Sequence, residues 1–176
     1  MKIGYTHGRF QPFHNGHLKL LKHMYNEFDE VWIGIANPLR RMPELAHLLK
    51  SEAQENLRIR RQPELNFLTY VEIVQTIDKV LRREGMDMSK IKILPQFSHY
   101  DLSNWRDFMP KNCTIVKTIK KDYHKEKQSV FEKEGFKVEH FVDSKPHYSN
   151  FFKEWPNGNW KEIVPEEAIN ILEKHK

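Results

Sequence analysis

Lys2-Ile3-Gly4-Tyr5-Thr6-His7-Gly8-Arg9-Phe10-Gln11-Pro12-Phe13-His14-Asn15-Gly16-His17-Leu18-Lys19-Leu20-Leu21 is the stretch that decides how this chain folds. Ile3 to Thr6 is a short apolar run and reads as a buried strand. A loop holding Gly8, Pro12 and Gly16 follows, and then Leu18, Leu20, Leu21, Met24 and Phe28 recur near helical spacing. A strand, a glycine-containing loop and a helix in that order aim backbone N–H groups and a positive helix end at an anion, usually phosphate. His14 and His17 fall where the loop becomes the helix, with Gly16 between them allowing close backbone approach. Imidazole donors beside a helix N-terminus suit charge that builds on phosphorus during group transfer.

Working outward, the chain of 176 residues is large enough for one α/β domain with a sizeable core and leaves little room for a second. Cys113 is its one cysteine, which excludes an internal disulfide and fits a reducing compartment, so a cytoplasmic location is expected. No apolar run approaches the roughly 20 residues of a membrane span. A secretory leader is not expected either, because His7, Gly8 and Arg9 interrupt the first apolar run. The net charge of +5 suits an anionic ligand. With 29 basic against 24 acidic residues the excess is mild, so a nucleotide-sized ligand is expected rather than nucleic acid.

Further along, apolar runs alternate with helical patterns. Val31 to Ala36 predicts a second strand, ended by Asn37-Pro38. About 38–66 reads as a charged insertion carrying Arg40, Arg41, Arg58, Arg60 and Arg61, either a solvated loop or a phosphate-closing lid. Thr69 and Glu72 form a capping box, with an apolar face through Ile73, Val74, Ile77, Val80 and Leu81 and an end at Gly85. Ile91 to Leu94 predicts a third strand cut by Pro95, and Asn104 to Met109 a short helix. Cys113 to Ile119 predicts a fourth strand, Lys125 to Lys133 a helix, Val138 to Val142 a fifth strand, and Pro165 to Lys176 a final helix. The pattern predicts a single Rossmann-like, doubly wound α/β domain over 1–176, with a mainly parallel five-stranded sheet. Such sheets bind ligands beyond the carboxyl ends of their strands, at the switch point.

Gly8-Arg9-Phe10-Gln11-Pro12-Phe13-His14-Asn15-Gly16-His17-Leu18 resembles the signature of the nucleotidylyltransferase superfamily, in the version typical of nicotinamide-nucleotide adenylyltransferases. The resemblance continues in Ile33-Gly34-Ile35-Ala36-Asn37-Pro38, in Asn66-Phe67-Leu68-Thr69-Tyr70-Val71-Glu72, and in Gly158-Asn159-Trp160-Lys161-Glu162-Ile163-Val164-Pro165. It implies attack of an acceptor phosphate on the α-phosphorus of a nucleoside triphosphate, most simply ATP, with release of pyrophosphate. It also implies His14 and His17 as the catalytic pair, with His17 nearest the α-phosphate. Gly8, Arg9, Phe10 and Gly16 would lie along the nucleotide, and Mg²⁺ would arrive carried by the triphosphate. The partners implied are a nucleoside triphosphate and a phosphorylated small molecule, with no membrane and with homo-oligomer formation left open.

One family motif departs. Relatives carry a Ser-Gly-Thr-x-Ile-Arg type sequence that holds the triphosphate at another helix start. This chain reads Tyr148-Ser149-Asn150-Phe151-Phe152-Lys153-Glu154-Trp155 there. Ser149 is kept and Lys153 is a basic substitute without arginine's bidentate fork, so Arg40, Arg41 or the Arg58 to Arg61 cluster are candidate compensating groups. Trp105 and Trp155 are candidate acceptor-stacking residues, against core packing as the plainer alternative. His7, His99, His124 and His147 read as surface or packing residues, with His7 close enough to the loop to watch. The functional alternatives are a cytidylyltransferase acting on a phosphorylated or phosphonate acceptor, a catalytically weakened nucleotide-binding module, and a basic nucleic-acid-binding domain.

Overall fold

A computed structural model describes residues 1–36, 63–96, 108–118, 128–129, 131–143 and 147–176. Five strands, β1 (Ile3–Gly8), β2 (Glu30–Ala36), β3 (Ile91–Gln96), β4 (Thr114–Thr118) and β5 (Lys137–Phe141), form one sheet in the order β3-β2-β1-β4-β5. Every neighbouring pair is parallel. The chain starts in the middle, winds to one edge, returns and winds to the other, which is the doubly wound Rossmann-like arrangement. The described helices include α1 (Asn15–Glu27), α2 (Tyr70–Arg83), α3 (His147–Glu154) and α4 (Glu166–Leu172).

An all-parallel sheet has to be covered on both faces. Successive residues of β4 divide between two clusters: Val116 joins the large core with Leu21, Met24, Ile33 and Ile77, whereas Ile115 packs with Tyr5, Met109, Cys113 and Phe131. The Tyr5 and Cys113 side chains are buried, and burial pushes the Cys113 thiol up to about 11, which removes it as a nucleophile. Among the described residues no helix is long and apolar enough to cross a membrane.

Local signals account for most element ends. Thr69 and Glu72 do form the reciprocal capping box that opens α2. At its far end Gly85 adopts φ 76°, with the Met86 N–H donating to Leu81 O at 3.1 Å. That Schellman closure uses the glycine's freedom in left-handed backbone, and Gly135 (φ 85°) repeats it before β5. The third strand corrects the expectation that Pro95 ends it: β3 continues to Gln96, with Pro95 paired in register with Ile35. β3 is an edge strand, the one place where a sheet tolerates proline's missing N–H. The last helix is also shorter than expected, α-helical only over Glu166–Leu172 before a 3-10 turn.

Candidate active site

β1 is central, and its carboxyl end delivers the loop 9–14 to the crevice where the connections diverge, between β1 and β4. The loop is fastened by side chains. Gln11 donates from Nε2 to Leu68 O at 2.8 Å and accepts the Leu68 N–H at 3.0 Å. Arg9 donates to the Asn66 side-chain oxygen at 3.2 Å. Asn15 donates to Glu162 O at 3.0 Å. The three sequence stretches around His14, Leu68 and Trp160, far apart in the chain, are thereby joined at one end of the sheet. Phe10 takes a left-handed φ of 52°, uncommon for a large side chain, and buries its ring against His17 at 4.7 Å between centroids. A Cβ built on Gly8 would stand 3.4 Å from Phe10 Cζ, in ordinary contact with that ring.

His14 is the N-cap of α1, and the two histidines cap it reciprocally. The His17 N–H donates to His14 Nδ1 and the His14 N–H donates to His17 Nδ1, each at 3.3 Å. This is a capping box built from imidazoles rather than from serine and glutamate. The rings stack 3.6 Å apart at 12°. Because both Nδ1 atoms accept backbone protons, the neutral tautomer assigned from these bonds carries its proton on Nε2. Any proton these rings offer a ligand therefore comes from Nε2. Capping and chemistry use different nitrogens, so the two roles are compatible.

Two groups absent from the sequence reading of the site complete it. His147, read from sequence as surface or packing, is buried with its ring 5.5 Å from that of His14 and nearly parallel, at 16°. Its Nε2 lies 3.0 Å from Asp143 Oδ2, and both side chains are nearly excluded from solvent. A Cβ on Gly16 would stand 2.6 Å from His147 Cδ2 and 3.0 Å from Asp143 Oδ2. The glycine in the His-x-Gly-His sequence is thus required by protein atoms alone. The i, i+4 spacing of Asp143 and His147 was the only sequence signal for this pair, and common surface pairs share it.

Of the remaining sequence candidates, Ser149 and Lys153 lie exposed one helical turn apart on α3, which begins at His147. Trp155 stacks on Phe67 at 5.3 Å and 9° and also meets Phe151 and Trp160. His7 lies 3.4 Å from Lys117 Nζ, on neighbouring strands at the crevice. Arg40, Arg41, Arg58, Arg60, Arg61, Trp105, His99 and His124 lie outside the described residues. Among the described residues no three His, Cys, Asp or Glu side chains converge as a metal site.

The cytidylyltransferase-like family pattern matches residues 5–167. The chain is 25% identical over 173 residues to nicotinamide-nucleotide adenylyltransferase of Archaeoglobus fulgidus, covering 95% of this chain and 88% of the relative. It is 27% identical over 187 residues to the protein of the same name from Saccharolobus solfataricus, covering 98% and 90%. In three dimensions it is similar to a bifunctional NMN adenylyltransferase/ADP ribose pyrophosphatase from Francisella tularensis, complexed with AMP and a Mn ion. The TM-score is 0.66 at 19% identity, and the match covers 99% of this chain. This chain spans about half of that protein, 48%. The Plasmodium falciparum nicotinic acid mononucleotide adenylyltransferase complexed with NaAD is similar at TM-score 0.59 and 15% identity, covering 99% of this chain and 95% of that one.

Proposed function

Because the chain belongs to the cytidylyltransferase-like family, we propose that it transfers an adenylyl group from ATP to nicotinamide mononucleotide, releasing pyrophosphate. The two curated relatives above carry that activity in their names. The observation that carries the reading is the reciprocal cap of His14 and His17 at the start of α1, in the crevice of a doubly wound sheet.

The chemistry follows from that placement. An oxygen of the acceptor phosphate forms a bond to the α-phosphorus of the triphosphate. The bond from that phosphorus to the bridging oxygen of pyrophosphate breaks, and the electron pair leaves with pyrophosphate. The protein's task is positioning and stabilisation of the charge gathering on the α-phosphate. His14 and His17 serve it by donating from Nε2, with His17 nearest the α-phosphate, and the α1 N-terminus adds its partial positive charge. Gly8, Arg9, Phe10 and Gly16 line the nucleotide. Ser149 and Lys153 touch the β- or γ-phosphate, with Arg40 or Arg41 supplying the positive charge that the missing family arginine would give. Trp105 and Trp155 are the acceptor-side aromatics. Mg²⁺ belongs to the substrate, bound to triphosphate oxygens. The whole of 1–176 acts as one nucleotidylyltransferase domain in the cytoplasm.

The test is to incubate the protein with Mg²⁺, each of the four nucleoside triphosphates and a panel of phosphorylated acceptors, and to measure pyrophosphate. ATP with nicotinamide mononucleotide should be the productive pair. Turnover confined to CTP and another acceptor would replace this reading by the cytidylyl one, and none with any pair would leave a binding module.

A further inference from the structure

The Asp143–His147 pair has no part in the chemistry derived above, yet it is built into the site. His147 opens α3 and its imidazole flanks that of His14, 5.5 Å away and within 16° of parallel. Asp143 and His147 are both nearly excluded from solvent, and His147 Nε2 stands 3.0 Å from Asp143 Oδ2. A buried polar pair of this kind is weak as a source of stability, since apolar side chains of the same shape serve the fold as well. The pair is also packed so tightly on the first turn of α1 that a single Cβ at Gly16 would strike both members. The same Cβ would lie 3.2 Å from His14 Cε1. Asp143, His147, Gly16 and His14 therefore form one contact unit, in which the His147 ring cannot move without releasing a neighbour of His14.

Packing as well as the backbone sets the His14 ring's placement. Its Nδ1 bond to the His17 N–H is 3.3 Å long, at the weak end for such bonds, and leaves the ring plane to be set by what it packs against. The His17 ring lies 3.6 Å from it and the His147 ring 5.5 Å from it. We propose that His147, seated by Asp143, is a positioning residue for the adenylyl-transfer reaction: its ring holds the His14 imidazole in the plane from which Nε2 meets the phosphate. The inference rests on the adenylyl-transfer reading for its kinetic consequence. The pair stands at the α3 start, where this chain lacks a Ser-Gly-Thr-x-Ile-Arg type sequence.

Two variants and one spectrum test it. Asp143→Asn keeps the shape and removes the carboxylate that seats His147. Asp143→Leu/His147→Phe replaces both polar side chains by apolar ones and keeps a ring beside His14. If placement of the ring is what matters, Asp143→Asn lowers kcat about tenfold with both KM values within twofold, and the double variant recovers to within threefold of wild type. Side-chain ¹⁵N spectra of the substrate-free proteins give the second readout. His14 should show an ordered Nε2–H tautomer in wild type and the double variant, and an averaged signal in Asp143→Asn. The spectra decide the inference even if wild type releases no pyrophosphate, an outcome that would reject the activity alone. Unchanged kcat and unchanged His14 signals in Asp143→Asn would overturn the proposal. So would a tenfold rise in triphosphate KM at constant kcat, or a double variant no better than Asp143→Asn.

Discussion

His17 has a mechanical task and a chemical one, and two substitutions separate them. Its Nδ1 accepts the His14 N–H at 3.3 Å, and its ring stacks on His14 at 3.6 Å. His17→Ala removes half of a capping box, worth about 1 kcal/mol, and a stacked ring pair worth roughly 0.5–1 kcal/mol. For a chain of this size each kcal/mol moves Tm by about 2–4 °C, so His17→Ala should melt about 3–8 °C lower. Glutamine is a natural capping-box residue at this third helical position. His17→Gln should therefore recover roughly half of that loss. The chemistry behaves differently. Loss of one donor to the charge developing on the α-phosphate costs about 3 kcal/mol, on the order of a hundredfold in kcat, and glutamine at the same backbone site does not reproduce the stacked Nε2–H. Calorimetry and a coupled pyrophosphate assay on the three proteins make the comparison. Turnover of His17→Gln within threefold of wild type would refute the reasoning, because capping alone would then account for His17.

The other predictions concern the scaffold and the phosphate grip. Gln11→Ala leaves the buried N–H and C=O of Leu68 without their partner, which should cost about 1–3 kcal/mol in urea unfolding; a change under 0.5 kcal/mol would contradict the loop-fastening role. Glu72 supports the α2 start, and although burial pushes its carboxyl up, the Thr69 backbone N–H, the His175 ring, the Thr69 hydroxyl and the charge of His175 outweigh that and hold it down at about 2. A depressed carboxyl stabilises the fold above its ordinary value of 4.5 and loses that contribution as pH falls toward 2. The pair is partly exposed, so the difference between wild type and Glu72→Gln should be only about 1 kcal/mol above pH 5 and should shrink by pH 3; a gap that widens on acidification would reverse the sign of the account. Lys153→Ala should raise the triphosphate KM severalfold and leave the acceptor KM unchanged, and the opposite pattern would move α3 to the acceptor side.

How much of this was legible beforehand depends on the range of the interaction. The fold was readable because alternating strand and helix patterns are local, and β1, α1 and the Thr69–Glu72 cap stand where their residues indicate. Pro95 was misread because its tolerance depends on β3 being an edge strand, a fact of sheet order rather than of neighbouring residues. His14 and His17 announced themselves by motif. The bonds from Gln11 to Leu68, Arg9 to Asn66 and Asn15 to Glu162 join residues 57 to 147 positions apart, beyond any local pattern. His147 was invisible for the same reason, since only the fold sets it against His14 and Gly16.

The central claim is attack of an acceptor phosphate oxygen on the α-phosphorus at the His14–His17 cap. It is tested most directly with nicotinamide mononucleotide labelled with ¹⁸O in its phosphate, incubated with ATP and Mg²⁺, followed by mass spectrometry of both products. The account predicts a dinucleotide that retains all of the label and a pyrophosphate that carries none. Label in pyrophosphate, or label retained in unreacted mononucleotide while ATP is consumed, would contradict it.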